Sequence, residues 1–556
     1  MAKDKKTVCI VGAGESGLAA LKECVQHGMA PTLYDLDSDI GGLWHKKLPG
    51  QYSNTASIWP TLVTNNSKYT MCFSDFPPDP KDPVFISPPQ LCAYFKRMIN
   101  HFGLAKYIHL NTEVVKVRET PDHDKTGKWE VYTRDSSAIG DKLSSQEDIS
   151  EQDMLASCRK EIFDNVILCS GWFKEPFYPD IPGLKYFTGS VSHSFTYSDP
   201  RPFDNKKVLV VGNKFSAAEI TSDISNLAEE TYLALGQGTW IIPRLFRGGV
   251  PLDLSMPRSM IWARDPEFSF NEMILTESNG KMNHTQSGIG TSTQPATSPI
   301  CISDDLPVKI ASGKIKPYGH LTELKQNTAI FQEGETIPGL DAIVFCTGYR
   351  TNTSFVDLKI HDDDGKMELY FMVFPLNRKH NTLALVGHYG TDGPMVLLGE
   401  NQARLAASVM SGCHQLPPQK TMAQNVLFWN QISAARRPGF YNYLIPGFAF
   451  MDALAMELGF YPSFWKIFFR DPVLAWRTWY GPYLAVQYRL LGPNSQWDKA
   501  REMCYKAYDE GLSCIRHADE KVADRPDIKR RRKQRAISVL GLGALVTGLI
   551  LWRTWK

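Results

Sequence analysis

Residues 6–12 (KTVCIVG) form an apolar run with little alternation, the pattern of a strand covered on both faces in a parallel sheet. The following VGAGESGLAALKECVQHG shifts to a helical period, and PTLYDLD returns to a short strand, so the chain opens with a β-α-β unit. The same alternation restarts at Lys206 with KKVLVVGNKFSAAEITSDIS and then TYLAL, about 195 residues further on. Two more apolar strands, DNVILCSG (164–171) and DAIVFCTGY (341–349), end in small residues, as strands do when they stop beneath a bound cofactor. Polar stretches at 134–160 and 277–300 read as solvated excursions between these elements.

The C-terminal fifth has a different texture. Aromatic residues crowd positions 425–495, among them Phe440, Tyr441, Tyr443, Phe448, Phe450, Phe460, Tyr461, Phe464, Trp465, Phe468 and Phe469. One reading is the core of a helical subdomain; the other is a patch lying on a bilayer. Residues 536–552 then run without a charge, enough for a helix of roughly 25 Å, close to the thin bilayer of the endoplasmic reticulum. Lys529, Arg530, Arg531, Arg532, Lys533 and Arg535 precede that segment, and only Arg553 and Lys556 follow it. This asymmetry predicts a membrane anchor with the catalytic body on the cytosolic side of the endoplasmic reticulum (microsomal) membrane. A net charge of +2 gives no reason to expect nucleic acid as a partner. The 11 cysteines are scattered without a CxxC pair, as expected of reduced thiols facing the cytosol.

The chemistry starts at Gly12, Gly14 and Gly17, a G-x-G-x-x-G set between the first strand and the first helix. Gly12 permits the tight turn, Gly14 lets backbone approach a pyrophosphate, and Gly17 lets the helix pack close to the strand. Asp35 ends the second strand, where an acid accepts hydrogen bonds from an adenosine ribose. Two such units predict an α/β fold with two Rossmann-like dinucleotide-binding domains, the second inserted in the first. A C-terminal helical region and an anchor helix complete it. Disulfide reductases share this layout but need a closely spaced cysteine pair, which is missing here. His320 and His380 stand alone, and no metal-ligand cluster is expected.

Phe187, Gly189, His193 and Tyr197 in FTGSVSHSFTY fit the signature F-x-G-x-x-x-H-x-x-x-Y/F. With IGGLW (40–44), NNSK (65–68), CSG (169–171), DDLP (304–307), FCTGY (345–349) and ENQAR (400–404), the chain resembles the flavin-containing monooxygenases of the microsomal class B type. The resemblance implies FAD held by Gly12, Gly14, Ser16, Gly17, Asp35, Gly42, Leu43, Trp44 and Asn65, with Gln402 near the cofactor. It makes Asn65 the catalytic candidate, an uncharged amide beside the flavin ring. It leaves His193 as a shaper of the linker rather than a general acid. It implies NADPH as reductant, with NADH left open, and molecular oxygen added to reduced flavin as a C4a-hydroperoxide. The oxygen then goes to a small lipophilic amine or sulfide. The alternatives are a Baeyer–Villiger reaction on a carbonyl compound and an uncoupled oxidase releasing hydrogen peroxide. Baeyer–Villiger relatives usually end the signature in Trp-Pro, where this chain has Tyr197-Ser198. A homo-oligomer stays open.

The second glycine loop departs from the family pattern: Gly212 is kept, but Lys214 and Ala217 replace the other two glycines. The coenzyme set implied here is Gly212, Lys214, Ser216 and Arg244, with Arg244 and Arg247 the residues to stand in for the arginine relatives place after the next strand. The expected partition is 1–172 for the first part of the FAD domain, 173–335 for the coenzyme domain and 336–425 for the second part of the FAD domain. The aromatic-rich region, 426–528, and the basic run with its anchor, 529–556, follow.

Overall fold

Ten parallel strands form two five-stranded sheets. In chain order they are β1 (Thr7–Val11), β2 (Ala30–Tyr34), β3 (Ile108–His109), β4 (Asn165–Leu168), β5 (Ser190–His193), β6 (Lys207–Val211), β7 (Glu230–Ala234), β8 (Ile315–Tyr318), β9 (Ala342–Phe345) and β10 (Leu383–Leu385). The first sheet runs β10-β4-β1-β2-β3 and the second β8-β7-β6-β9-β5. Every neighbouring pair is parallel. This computed structural model describes residues 5–46, 55–136, 150–246, 249–358, 367–436 and 444–511.

The interiors of β1, β4, β6 and β9 are completely buried, which is why their sequences are apolar runs rather than alternations. The strand expected to reopen the first domain does not do so: β9, inside the expected 336–425 segment, pairs with β6 and β5 in the second sheet. Its apolar run is like that of β4, and a buried run does not encode which sheet it joins.

Helix α1 (Glu15–Gln26) crosses from β1 to β2, α2 (Phe215–Ile224) from β6 to β7, and α3 (Met395–Ser411) packs on α1. The α1–α3 contact encloses an ion cluster with no solvent exposure at Lys22, Glu23 or Glu400. Lys22 Nζ lies 2.6 Å from both Asp75 and Glu400, and Arg489 Nη2 lies 3.1–3.2 Å from Glu23, Asp75 and Glu400. Three acids pull the Lys22 ammonium above its ordinary pKa despite burial. Removing any one of these charges would strand the rest in a dry interior.

The aromatics of the C-terminal region divide between its interior and its surface. Phe448, Phe450 and Phe460 are buried, while Trp465 is 60% and Phe469 82% exposed. Arg258 ties it to the chain after β7, its Nε 2.9 Å from Asp452 and its guanidinium 4.3 Å from the Tyr483 ring centroid. Phe440, Tyr441, Tyr443, the basic run and the apolar segment 536–552 lie outside the described residues. Among the described residues no helix is long and apolar enough to cross a membrane.

Candidate functional site

A cavity of about 1680 Å³ collects both glycine loops. Gly12, Gly14, Ser16, Asp35, Gly42, Leu43, Trp44 and Asn65 line it together with Gly212, Lys214 and Ser216 from the loop after β6. Gly17, Arg244 and Gln402 are not among its lining residues.

At the first loop, Gly12 has φ +107°, and a Cβ there would stand 2.5 Å from the Cys169 carbonyl oxygen. A Cβ on Gly17 would stand 1.8 Å from the Gly12 oxygen, so Gly17 serves the strand–helix packing and not the cavity wall. Gly14 differs from both. Its φ is −70°, and a Cβ would find nothing nearer than Gly42 Cα at 3.7 Å. The protein itself has room for a side chain at Gly14, so the glycine keeps open a cradle at the mouth of α1. No side chain caps α1, which leaves its first-turn N–H groups for an anion. Asp35 accepts hydrogen bonds from Ala13 N and, at 2.7 Å, from Asp37 N, an arrangement that fixes its carboxylate at the edge of the cavity. Burial, then the nearby Asp37, raises its pKa above the ordinary carboxylate value. These residues fit a dinucleotide whose pyrophosphate rests on the α1 N-terminus.

Gly212 has φ +154°, and a Cβ there would meet the Cys346 oxygen at 2.6 Å. Lys214 is the N-cap of α2, with extended backbone (φ −127°, ψ −168°), and its half-buried side chain stands at the cavity wall. Beside it the wall is built by Leu235, Gly236, Gln237 and His320.

Asn65 is half-buried, and its Oδ1 accepts from Arg244 Nη2 at 3.1 Å. Arg244 also holds Glu219 Oε1 and Asp304 Oδ2, both at 2.9 Å. Arg244 is thus turned inward and 6% exposed, its Nη1 and Nη2 engaged by Asp304, Glu219 and Asn65. Its partner Asp304 comes from the DDLP segment. Burial lifts the Glu219 carboxyl above its usual value, and Arg244 opposes the lift.

Gln402 is fully buried behind the wall. Its Oε1 accepts from Gly387 N at 2.9 Å, and its Nε2 donates to the Phe371 and Met372 carbonyls at 3.1 and 3.3 Å. It shapes the Gly387 turn that lines the cavity, rather than reaching the cavity itself.

The FTGSVSHSFTY motif builds the edge of the second sheet. Gly189 has no room for a Cβ, which would lie 2.5 Å from the Asp341 oxygen, and Tyr197 donates to Asp223 Oδ2 at 2.7 Å. Burial brings His193 down to about pH 4, and its Nδ1 accepts from Phe195 N at 3.0 Å. A neutral imidazole so held is a fixed hydrogen-bonder. Ser57 N reaches the Phe195 carbonyl at 2.8 Å, so the motif also touches the first domain.

Among the other lining residues, Glu15 and Asp253 carried no expectation, and His320 was read only as a lone histidine. Glu15 sits inside the first glycine motif, where an acid beside a phosphate cradle is the signal that would have found it. His320 and Asp253 reach the cavity only through tertiary folding.

Two parallel sheets presenting strand-to-helix glycine loops to one cavity define a two-dinucleotide oxidoreductase. The family model for flavin-binding monooxygenase-like proteins matches residues 5–551, and the chain belongs to that family. It is 34% identical to mouse dimethylaniline monooxygenase (N-oxide-forming) 2, over 89% of this chain and 90% of that protein. Human flavin-containing monooxygenase 2 is 31% identical over 99% of this chain and 100% of its own length. In fold, it is similar to S-allyl-L-cysteine S-oxygenase from Allium sativum, with a TM-score of 0.60 at 23% identity, covering 91% of this chain and 100% of that one. It is also similar to cyclohexanone monooxygenase, with a TM-score of 0.57 at 14% identity, covering 82% and 98%. Members of the family are FAD-binding, NADPH-dependent enzymes that oxidise substrates with oxygen, and this chain is a flavin-dependent monooxygenase.

Proposed function

We propose that this enzyme oxygenates soft nucleophiles, the nitrogen of lipophilic amines or the sulfur of thioethers, at the expense of NADPH and dioxygen. The observation that carries the reading is the single cavity shared by both glycine loops and by an apolar wall. Leu252, Met256, Phe270, Ile274, Ile302 and Met395 form that wall. An apolar wall suits a small substrate recognised by shape, and it keeps water from the reacting atoms. FAD, when bound, supplies hydride acceptance and oxygen activation. The chain's own residues bind and orient: Gly12, Gly14, Ser16 and Asp35 hold the FAD end, with Gly42, Leu43 and Trp44 facing it across the cradle. Asn65 offers amide donors, and Lys214 brings an ammonium to a coenzyme phosphate beside Gly212 and Ser216. Gly17 and Gln402 act from behind the wall.

The test is product analysis with a thioether and a simple ketone in parallel, together with flavin reduction timed with NADPH and NADH. Sulfoxide formation with faster reduction by NADPH is expected. Lactone or ester as the main product overturns the reading in favour of Baeyer–Villiger chemistry. Peroxide release equal to coenzyme consumed overturns it in favour of an oxidase.

The reading extends to location. Residues 529–556 would anchor the enzyme to the endoplasmic reticulum membrane with its body in the cytosol, and the exposed Trp465, Phe469, Val473 and Tyr480 would lie on the bilayer. Deleting 529–556 should leave much of the protein membrane-bound. A truncated enzyme fully soluble without detergent would overturn the role of the patch.

A further inference from the structure

Segments 244–246 and 249–253 lie side by side and meet the segment that carries Asn65. Leu245 and Phe246 pair antiparallel with Pro251 and Val250, and Leu252 N closes onto the Arg244 carbonyl at 2.9 Å. The two ends of this pair reach the Asn65 segment differently. Arg244 takes the Asn65 side chain, as described. Asp253, fully buried, takes the segment that follows: its Oδ2 accepts from Ser67 N at 3.0 Å and from the hydroxyls Ser67 Oγ at 2.7 Å and Thr70 Oγ1 at 2.5 Å.

A guanidinium has five donors and no acceptor, so only the oxygen of the Asn65 amide can face it. That contact settles the amide's orientation and leaves both Nδ2 hydrogens for the cavity Asn65 lines. Arg244 is in turn immobilised by Glu219, one turn into α2, and by Asp304. The geometry points to Arg244 and Asp253 as a positioning clamp: together they present the Asn65 amide donor-first to the flavin site. Arg244 is here a positioning residue rather than a phosphate ligand, and the cofactor-binding helix α2 is wired to the catalytic amide through two hydrogen bonds. The inference rests on Asn65 being the amide that serves the flavin.

The test uses the FAD-loaded full chain and two readouts: oxygenated product per NADPH oxidised, and the visible absorption spectrum of the bound flavin before any reductant is added. Asn65→Ala should lower coupling about 100-fold and Arg244→Met about tenfold, each with a shifted spectrum. In the Asn65→Ala background, Arg244→Met should cost nothing more and shift the spectrum no further. Asn65→Asp keeps an acceptor for Arg244 but puts an oxygen where the donors stood, so it should behave as Asn65→Ala. An Arg244→Met/Glu219→Gln variant removes the less exposed of the two carboxylates left unpaired and should match Arg244→Met. If Arg244→Met does not accumulate as loaded protein, Arg244→Lys takes its place, because one ammonium cannot fork to three partners. Equal losses in both backgrounds, or parental coupling and spectrum in the Arg244 variants, overturn the clamp. Parental coupling in Asn65→Ala overturns the assignment of Asn65 instead.

Discussion

The loops at Gly12 and Gly212 begin alike: a strand with a buried interior, a glycine with positive φ pressed on a neighbouring carbonyl, and an uncapped helix. They part at the helix. In the first loop, α1 lies so close to β1 that a methyl on Gly17 would fall 1.8 Å from the Gly12 oxygen. In the second, Ala217 already carries that methyl, buried and 3.1 Å from where a Gly212 Cβ would be. Helix α2 therefore stands further off its strand than α1 does. The middle positions differ in kind. Gly14 is a glycine the backbone does not require, and Lys214 has extended backbone dihedrals open to any residue. Loss of glycine at 214 thus costs the fold nothing; it changes what the ligand meets, from bare backbone to an ammonium.

The largest break in this comparison comes from Gly17→Ala, which should destabilise the enzyme by about 3 kcal/mol and cost most of its FAD, because the methyl must push α1 off β1. Thermal unfolding and flavin content read it. The mirror change, Ala217→Gly, should move unfolding much less. Equal effects at the two sites would show that the helices stand at the same distance after all.

Gly14→Ala separates the ligand from the fold. The added methyl meets no protein atom closer than 3.7 Å, so apo-protein unfolding should stay where it is. FAD affinity should fall by about 2 kcal/mol, roughly thirtyfold. A titration of apo-protein with FAD that shows parental affinity would remove the pyrophosphate from this cradle.

At the second loop, Lys214→Met should raise the NADPH concentration needed for half-maximal flavin reduction about tenfold, near the ~1.5 kcal/mol of one charged hydrogen bond. The difference should shrink at high salt. If Lys214→Met tightens NADPH instead, the lysine obstructs the coenzyme and the loop is damaged rather than rebuilt.

The β-α-β openings, both glycine loops and the residues of β1 and β2 were legible in the sequence, because local period and glycine spacing encode them. Three things were not. The partner of β9 was hidden, since an apolar run such as AIVF reads the same in either sheet. The fate of Arg244 was hidden too: an arginine after a strand looks the same whether it meets a phosphate or Asp304 from 60 residues away. Gln402 stood in a helix whose buried face is not separable from its cavity face without coordinates, and it faces Gly387 rather than the cavity.

The smallest effect expected is a pH dependence peculiar to the first loop. Glu15 lies in the first turn of α1 and lines the cavity, its Oε2 accepting from Trp44 Nε1 at 3.1 Å. Burial pushes its carboxyl from 4.5 up to about 7, with the Trp44 hydrogen bond opposing. A carboxyl raised in the folded state stabilises that state fully below its unfolded value, where both forms are protonated. The contribution drains away as pH climbs to about 7 and the folded form ionises. Ionised Glu15 would also face the pyrophosphate proposed for the same helix end, and like charges there disfavour both. FAD retention should therefore weaken from pH 5 to pH 8 by about 1 kcal/mol, a discounted figure for a half-buried group. Glu15→Gln should flatten that slope while leaving the acid limb unchanged. The second loop has the uncharged Phe215 at the matching place, so NADPH affinity should show no such loss over the same range. If the slope persists in Glu15→Gln, another group owns it, and Asp35, also raised by burial at the cavity edge, is the one to replace next.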